Sequence, residues 1–221
     1  MGFGPRFEIP HTIDGEKVVV VMRPAHDGDA EKMAALLQDF TVQQFLYIQG
    51  GVTPKDEAEV FERARTSREQ VLWIVSLVRD TESESIVGMT SLRKHRGNRY
   101  TSFIVLADRN HWGKGIARLT HQLRTWYAFC ELGAYAIKSG YIEDNVSSGK
   151  ALTGVGYVEI GRDWRAHLTN GRWCDEVSMV CYNPLTLGVL WPDGDVPEAV
   201  RKALPKTHSA FELARDVLKP R

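Results

Sequence analysis

Arg109-Asn110-His111-Trp112-Gly113-Lys114-Gly115-Ile116-Ala117 is the stretch whose reading decides the fold. It follows a β-like run, Tyr100–Ala107, and opens a long amphipathic helix that starts near Lys114. A Gly-x-Gly turn at a helix N-terminus offers main-chain N–H groups to an anion. The glycines let the backbone come close, and the helix dipole favours negative charge there. The stretch reads as a pyrophosphate cradle. A dinucleotide fold places Gly-x-Gly-x-x-Gly after its first strand, with an acidic residue about 20 positions on. Here the third glycine is missing and the loop lies mid-chain. A Walker A loop needs Ser or Thr after its Gly-Lys, but Lys114 is followed by Gly115 and Ile116.

Upstream of the loop, Val18–Met22 is a β-branched run that predicts a buried strand ended by Arg23-Pro24. Asp27 or Asp29 is placed to cap the helix carrying Ala30, Met33, Ala34, Leu36 and Leu37. An apolar and aromatic segment, Phe40–Ile48, ends at Gly50-Gly51. Thr53 then serves as N-cap, with Pro54 at the first helical position of another helix. Val71–Val78 and Ser85–Leu92 read as hairpin strands joined by the polar turn Asp80–Glu84. Arg96-Gly97-Asn98 turns into Tyr100–Ala107.

Downstream, Ile116, Leu119, Leu123, Trp126, Tyr127 and Cys130 recur at helical spacing, and Gly133 ends that helix. Tyr135–Ile142 is a strand and Asn145–Thr153 a short helix. Tyr157–Trp164 and Trp173–Tyr182 are strands joined by the hairpin signal Asn170-Gly171. The order predicts a mixed α+β fold with a mostly antiparallel, twisted central sheet flanked by helices. The expected organisation is a domain over residues 1–183 and a C-terminal extension over 184–221. One or two helical pieces are expected in the extension, near Pro197–Leu204 and Ser209–Leu218.

In the register Asn110-His111-Trp112-Gly113-Lys114-Gly115, the loop resembles the acyl-CoA loop of the GNAT N-acetyltransferases, roughly Gln/Arg-x-x-Gly-x-Gly/Ala. Asn110 departs from the usual first residue, and Arg109 stands in for it. The Trp-Gly-Lys-Gly form is most similar to the branch containing the ribosomal-protein-alanine N-acetyltransferases. A second segment agrees: Asn145-Val146-Ser147-Ser148 precedes Gly156-Tyr157 at the spacing of the family's Asn-x-x-Ser … Gly-Phe/Tyr. The likeness covers residues 17–182.

The resemblance implies a GNAT-type fold and acetyl-CoA as co-substrate. It also implies acetyl transfer to a primary amine by direct attack in a ternary complex. The pyrophosphate would lie on Arg109, Asn110, His111, Trp112, Gly113, Lys114, Gly115, Ile116 and Ala117. A main-chain N–H of the strand ending at Leu106 would polarise the acetyl carbonyl. Asn145 would bind the pantetheine arm, and Ser148 would stand beside the sulfur. A thiol leaving group, with a pKa of about 8.5, is helped by a nearby hydroxyl. Many relatives use a tyrosine one turn later, where this chain has Leu152, so Ser148 takes that part and Tyr157 is core.

An α-amine, pKa about 7.7–8, is partly free base at neutral pH and needs little help; a lysine amine, about 10.4, is almost wholly protonated. Asp108, Glu143, Glu159 and Glu176 are the candidate bases. Glu159 lies one position from the place where relatives often carry a glutamate. The acceptor is a protein or peptide N-terminus or a small-molecule amine. Phe40–Pro54, expected to form one acceptor wall, has Gln43, Gln44, Tyr47 and Gln49 but no dense acidic cluster, which disfavours a polyamine. The other readings are a non-catalytic acyl-CoA-binding module and a transferase of longer acyl chains.

Composition fits a soluble globular protein: 43% hydrophobic and 25% charged residues. With 28 Lys+Arg against 28 Asp+Glu, no global field draws the chain to nucleic acid or an acidic membrane. Its three cysteines form no CxxC pair, no metal motif stands out, and no apolar run approaches the ~18–20 residues of a membrane span. The expectation is a cytoplasmic monomer or homodimer without a metal.

Overall fold

The computed structural model describes residues 2–47, 50–79 and 83–218. Its chain divides into two units, one of residues up to Arg93 with Phe103–Ala117, the other of Lys94–Ser102 with Arg118 onward. The first holds β1 (Gly2–Phe3), β2 (Phe7–Ile13), β3 (Glu16–Arg23), α1 (Asp29–Leu37), α2 (Phe40–Gln43), α3 (Pro54–Thr66), β4 (Gln70–Arg79) and most of β5 (Ser83–Lys94). The strand β6 (Arg99–Leu106) gives its second half to this unit and its first half to the other.

In the first unit β2, β3, β4 and β5 pair antiparallel in that order, and β1 joins β4 in parallel. Sequence patterning did not anticipate β1 or β2. Phe7, Ile9 and Ile13 alternate inward along β2, but Pro10 interrupts the run. Proline is tolerated because β2 ends the strand order, where a missing N–H breaks no inner ladder. Asp14 (φ 52°) and Gly15 (φ 89°) form the turn into β3, the two-residue hairpin geometry that Asp-Gly favours.

At α1 the expected cap is corrected. Gly28 (φ 84°) is the N-cap and makes no side-chain bond. Asp29 is buried and accepts from Arg23 at 2.7 and 3.1 Å and from the His26 amide at 2.6 Å. Thr53 caps α3 as expected, and Asp56 reciprocates to the Thr53 amide at 2.8 Å. From the aromatic segment only one helical turn, α2, forms; Ile48, and Asp80–Glu82 of the predicted turn, lie outside the described residues. Met33, Leu37, Val42, Val52, Phe61, Leu72 and Ile74 form the core under α1 and α3.

One close backbone approach in this unit positions the loop. A Cβ on Gly88 would lie 2.0 Å from the Val105 carbonyl oxygen, so only glycine fits there. The neighbouring Val87 carbonyl accepts from the amides of Ala107 (2.8 Å) and Asp108 (3.2 Å). Those two bonds fix the end of β6 and deliver the chain into Arg109.

The second unit contains α4 (Ile116–Trp126) from Arg118 on, a π-helical turn over Tyr127–Glu131, β7 (Ala136–Ile142) and α5 (Val146–Thr153). These are followed by β8 (Val158–Thr169), β9 (Arg172–Tyr182), α6 (Leu187–Leu190) and α7 (Glu198–Val217). Here β6 and β7 pair in parallel, β7 and β9 antiparallel, and β8 adds antiparallel to β9 at the end of the order.

The inward face of α4 departs from the apolar face read from sequence. Thr120, His121, Arg124 and Thr125 are buried, whereas Cys130 is exposed. Burial pushes the His121 imidazole well below its ordinary range, with the Arg124 charge adding to the effect. The expected stretches near Pro197–Leu204 and Ser209–Leu218 fall in one helix of 20 residues, α7, with Pro205 inside it. Val200, Ala203, Thr207, Ala210 and Ala214 are its buried residues, and their 3-and-4 spacing makes one seam that outweighs the proline's lost hydrogen bond. A Cβ on Gly156 would lie 2.1 Å from Thr207 Oγ1, so α7 packs directly on that glycine.

Candidate functional site

The phosphate-type loop is built from the end of β6. Asp108 caps the 3-10 turn Arg109–His111, accepting from the Asn110 amide at 3.0 Å and from His111 Nδ1 at 2.9 Å. His111 is buried, and its Nε2 lies 3.0 Å from Arg79 Nη2. The Trp112 indole donates to the Leu106 carbonyl at 2.7 Å. Gly113 (φ 75°) and Gly115 (φ 82°) both occupy the left-handed region, and Ile116 is buried and anchors the start of α4. Within the first unit, among its described residues, no hydrogen bond engages the amides of Gly113, Lys114, Gly115, Ile116 or Ala117. Such amides at the start of an 11-residue helix are what an anion requires.

The loop's cationic side chains are held by the protein. Arg109 Nη1 reaches Asp39 Oδ2 at 3.1 Å and Thr41 Oγ1 at 3.0 Å, tying the loop to the α2 N-terminus. The Asp39 carboxyl is held low, chiefly by the Thr41 amide and further by Arg109. Lys114 Nζ lies 2.7 Å from each carboxylate oxygen of Asp14, and His11 Nε2 lies 2.7 Å from the Lys114 carbonyl. His111 has its two ring nitrogens within hydrogen-bond distance of Asp108 and Arg79.

In the second unit Asn145 is the N-cap of α5, and its Oδ1 accepts from the Ser148 amide at 3.1 Å. Capping gathers Asn145 and Ser148 at one helix start, and both are half-buried. Leu152 is fully buried, and Tyr157 is core as expected, its hydroxyl 3.4 Å from Ser102 Oγ. Glu159 is exposed and bridged to Arg162 at 2.8 Å; Arg162 also reaches Glu143 at 2.6 Å. Of the other candidate bases, Asp108 is committed to the loop, and Glu176 lies 3.1 Å from His167 Nε2.

Two residues escaped sequence reading. A Cβ on Gly149 would sit 2.8 Å from the Tyr141 hydroxyl, so that phenol lies over the first turn of α5, one residue from Ser148. The signal available was Gly149 itself, an unexplained glycine in a helix. Glu57 of α3 is 2% exposed, and its Oε2 has no partner among the described residues. Burial, with Asp56 beside it, pushes that carboxyl up to about 7. Helical periodicity treats Glu57 as a surface acid, and only packing reveals it. Among the described residues no cluster of three or more His, Cys, Asp or Glu side chains is placed to hold a metal. No described helix is long and apolar enough to cross a membrane.

A family model for the acetyltransferase (GNAT) domain matches residues 20–158, and the chain belongs to that family of acyltransferases. Its structure is similar to that of spermidine N-acetyltransferase from Vibrio cholerae, solved with CoA and spermine: TM-score 0.64, 17% identity, covering 74% of this chain and 95% of that one. It is also similar to ribosomal-protein-S5-alanine acetyltransferase from Vibrio fischeri: TM-score 0.64, 20% identity, 82% and 98% covered. The third likeness is to Mycobacterium smegmatis RimJ with CoA-disulfide: TM-score 0.63, 18% identity, 91% and 94% covered. These likenesses establish the GNAT fold, mixed α+β with a C-terminal helix. No curated protein sequence matches the chain.

Proposed function

We propose that the protein is an N-acetyltransferase that moves acetyl from acetyl-CoA to a primary amine by direct attack in a ternary complex. The observation that carries this is the loop from Gly113 to Ala117, with two left-handed glycines and amides unengaged within their unit. That arrangement fits a diphosphate such as the one CoA carries. Solved neighbours described with CoA or its disulfide support the same reading.

In this account the loop amides bind the diphosphate, Asn145 holds the pantetheine arm, and Ser148 hydrogen-bonds the departing sulfur. An N–H of β6 near Leu106 stabilises charge growing on the carbonyl oxygen. The amine's proton passes through solvent to Glu159, whose carboxylate pairs with Arg162. A protein or peptide N-terminus is the favoured acceptor because its α-amine is already partly neutral.

The test is acetyl-CoA turnover against a panel of peptides, polyamines and aminoglycosides. Transfer to peptide α-amines above the other classes is expected; equal transfer to polyamines would reverse the acceptor assignment. A second reading, an acyl-CoA-binding module without turnover, draws on Leu152, buried where relatives carry a tyrosine. Tight CoA binding with no transfer to any amine would establish it.

A further inference from the structure

The β2–β3 hairpin lies far from the loop in sequence, yet two of its side chains, His11 and Asp14, bond Lys114. His11 Nε2 is 2.7 Å from the Lys114 carbonyl, and Lys114 Nζ is 2.7 Å from both Asp14 carboxylate oxygens. A Cβ built on Gly115 would meet the His11 ring at 3.4 Å. His11 and Asp14 both precede residue 20, where the family match begins.

The geometry points to His11 as a positioning residue for the cofactor loop, a reading that rests on the proposed CoA binding. A carbonyl only accepts, so Nε2 carries the hydrogen that His11 donates. In a trans peptide the carbonyl and the following N–H point to opposite sides. Holding the Lys114 carbonyl toward His11 therefore turns the Gly115 amide away from β2. Gly113 and Gly115 make the loop backbone cheap to reorient, since glycine populates both signs of φ with similar ease. A peptide flip at 114–115 would replace the Gly115 donor with a carbonyl oxygen facing the anion. The His11 hydrogen bond selects against that flip before any ligand arrives. The Asp14–Lys114 pair is exposed on the Asp14 side and adds a second tether to the same turn.

The test uses the full chain in three forms: wild type, His11→Ala, and His11→Gln, whose amide can donate from a similar place. CoA affinity is measured by calorimetry, and kcat and KM for acetyl-CoA on the best acceptor from the panel. His11→Ala is expected to weaken CoA binding and raise KM about tenfold with kcat within twofold, and His11→Gln to recover most of that loss. In the ligand-free protein, the Gly115 amide resonance should shift or broaden in His11→Ala and return in His11→Gln. A folded His11→Ala that binds CoA as wild type does overturns the inference. So does a His11→Gln no better than His11→Ala, or, if His11→Ala fails to fold, a His11→Gln with an altered Gly115 resonance and weak binding. Wild-type protein that gives no heat with CoA would instead remove the functional reading itself.

Discussion

Arg79 Nη2 and His111 Nε2 lie 3.0 Å apart, and because a guanidinium only donates, this contact assigns the His111 tautomer. The imidazole accepts from Arg79 and donates through Nδ1 to Asp108, whose other oxygen takes the Asn110 amide. A strand residue, a buried ring and a cap thus hold the entrance to the loop in one shape.

From that chain of bonds, His111→Ala should cost about 1–3 kcal/mol of stability by removing the donor to Asp108 Oδ2 and the acceptor for Arg79 Nη2. It should also raise KM for acetyl-CoA. His111→Asn, which can still donate to Asp108, should lose less of both. Urea denaturation and steady-state kinetics on the two variants check this; equal losses would show that the ring contributes bulk alone.

Ser148 and Tyr141 present two hydroxyls at the first turn of α5, and their substitution separates them. Ser148→Ala should lower kcat about tenfold or more by removing the donor to the sulfur. Tyr141→Phe should lower it less than threefold and leave the pH profile in place. The reverse ranking would transfer the donor role to Tyr141.

Glu57 makes stability depend on pH in a defined direction. Its folded value, about 7, lies above the ordinary 4.5. Between these values the folded chain keeps a proton that the unfolded chain releases, so the carboxyl favours folding at low pH. That contribution fades as pH rises through about 7. Glu57→Gln should therefore be more stable than wild type at pH 8 by about 1–3 kcal/mol and little different at pH 4. Denaturation midpoints at both values test it; a constant difference would mean that Glu57 carries no titration.

The two loop glycines should respond unequally to alanine. A Cβ on Gly113 meets nothing within 4 Å, so Gly113→Ala adds only the strain of a left-handed residue, roughly 1–2 kcal/mol. A Cβ on Gly115 lies 3.4 Å from His11 Nε2, so Gly115→Ala adds crowding of the His11 contact and should raise KM for acetyl-CoA more. Equal KM values for the two would contradict the geometry.

Much of this was legible in the residues. The loop glycines, the Thr53 cap and the Asn170-Gly171 turn are local signals that the structure keeps, whereas the cap expected from Asp27 or Asp29 gave way to Gly28. What stayed hidden depends on contacts between distant segments. Pro10 masked β2, and with it the reach of His11 and Asp14 to Lys114. Arg124 and Glu57 look like surface charges on an amphipathic helix until their neighbours close around them. Whether the tail forms one helix or two was open, because propensity at Pro205 is local while the seam from Val200 to Ala214 that holds one helix together is not.

The central claim is that the main-chain amides from Gly113 to Ala117 bind the diphosphate of CoA. Amide resonances of isotope-labelled protein, followed while CoA is added, test it most directly. The account predicts that Gly113, Gly115, Ile116 and Ala117 move together and saturate with a common affinity. CoA added to saturation while these four resonances stay fixed would contradict it.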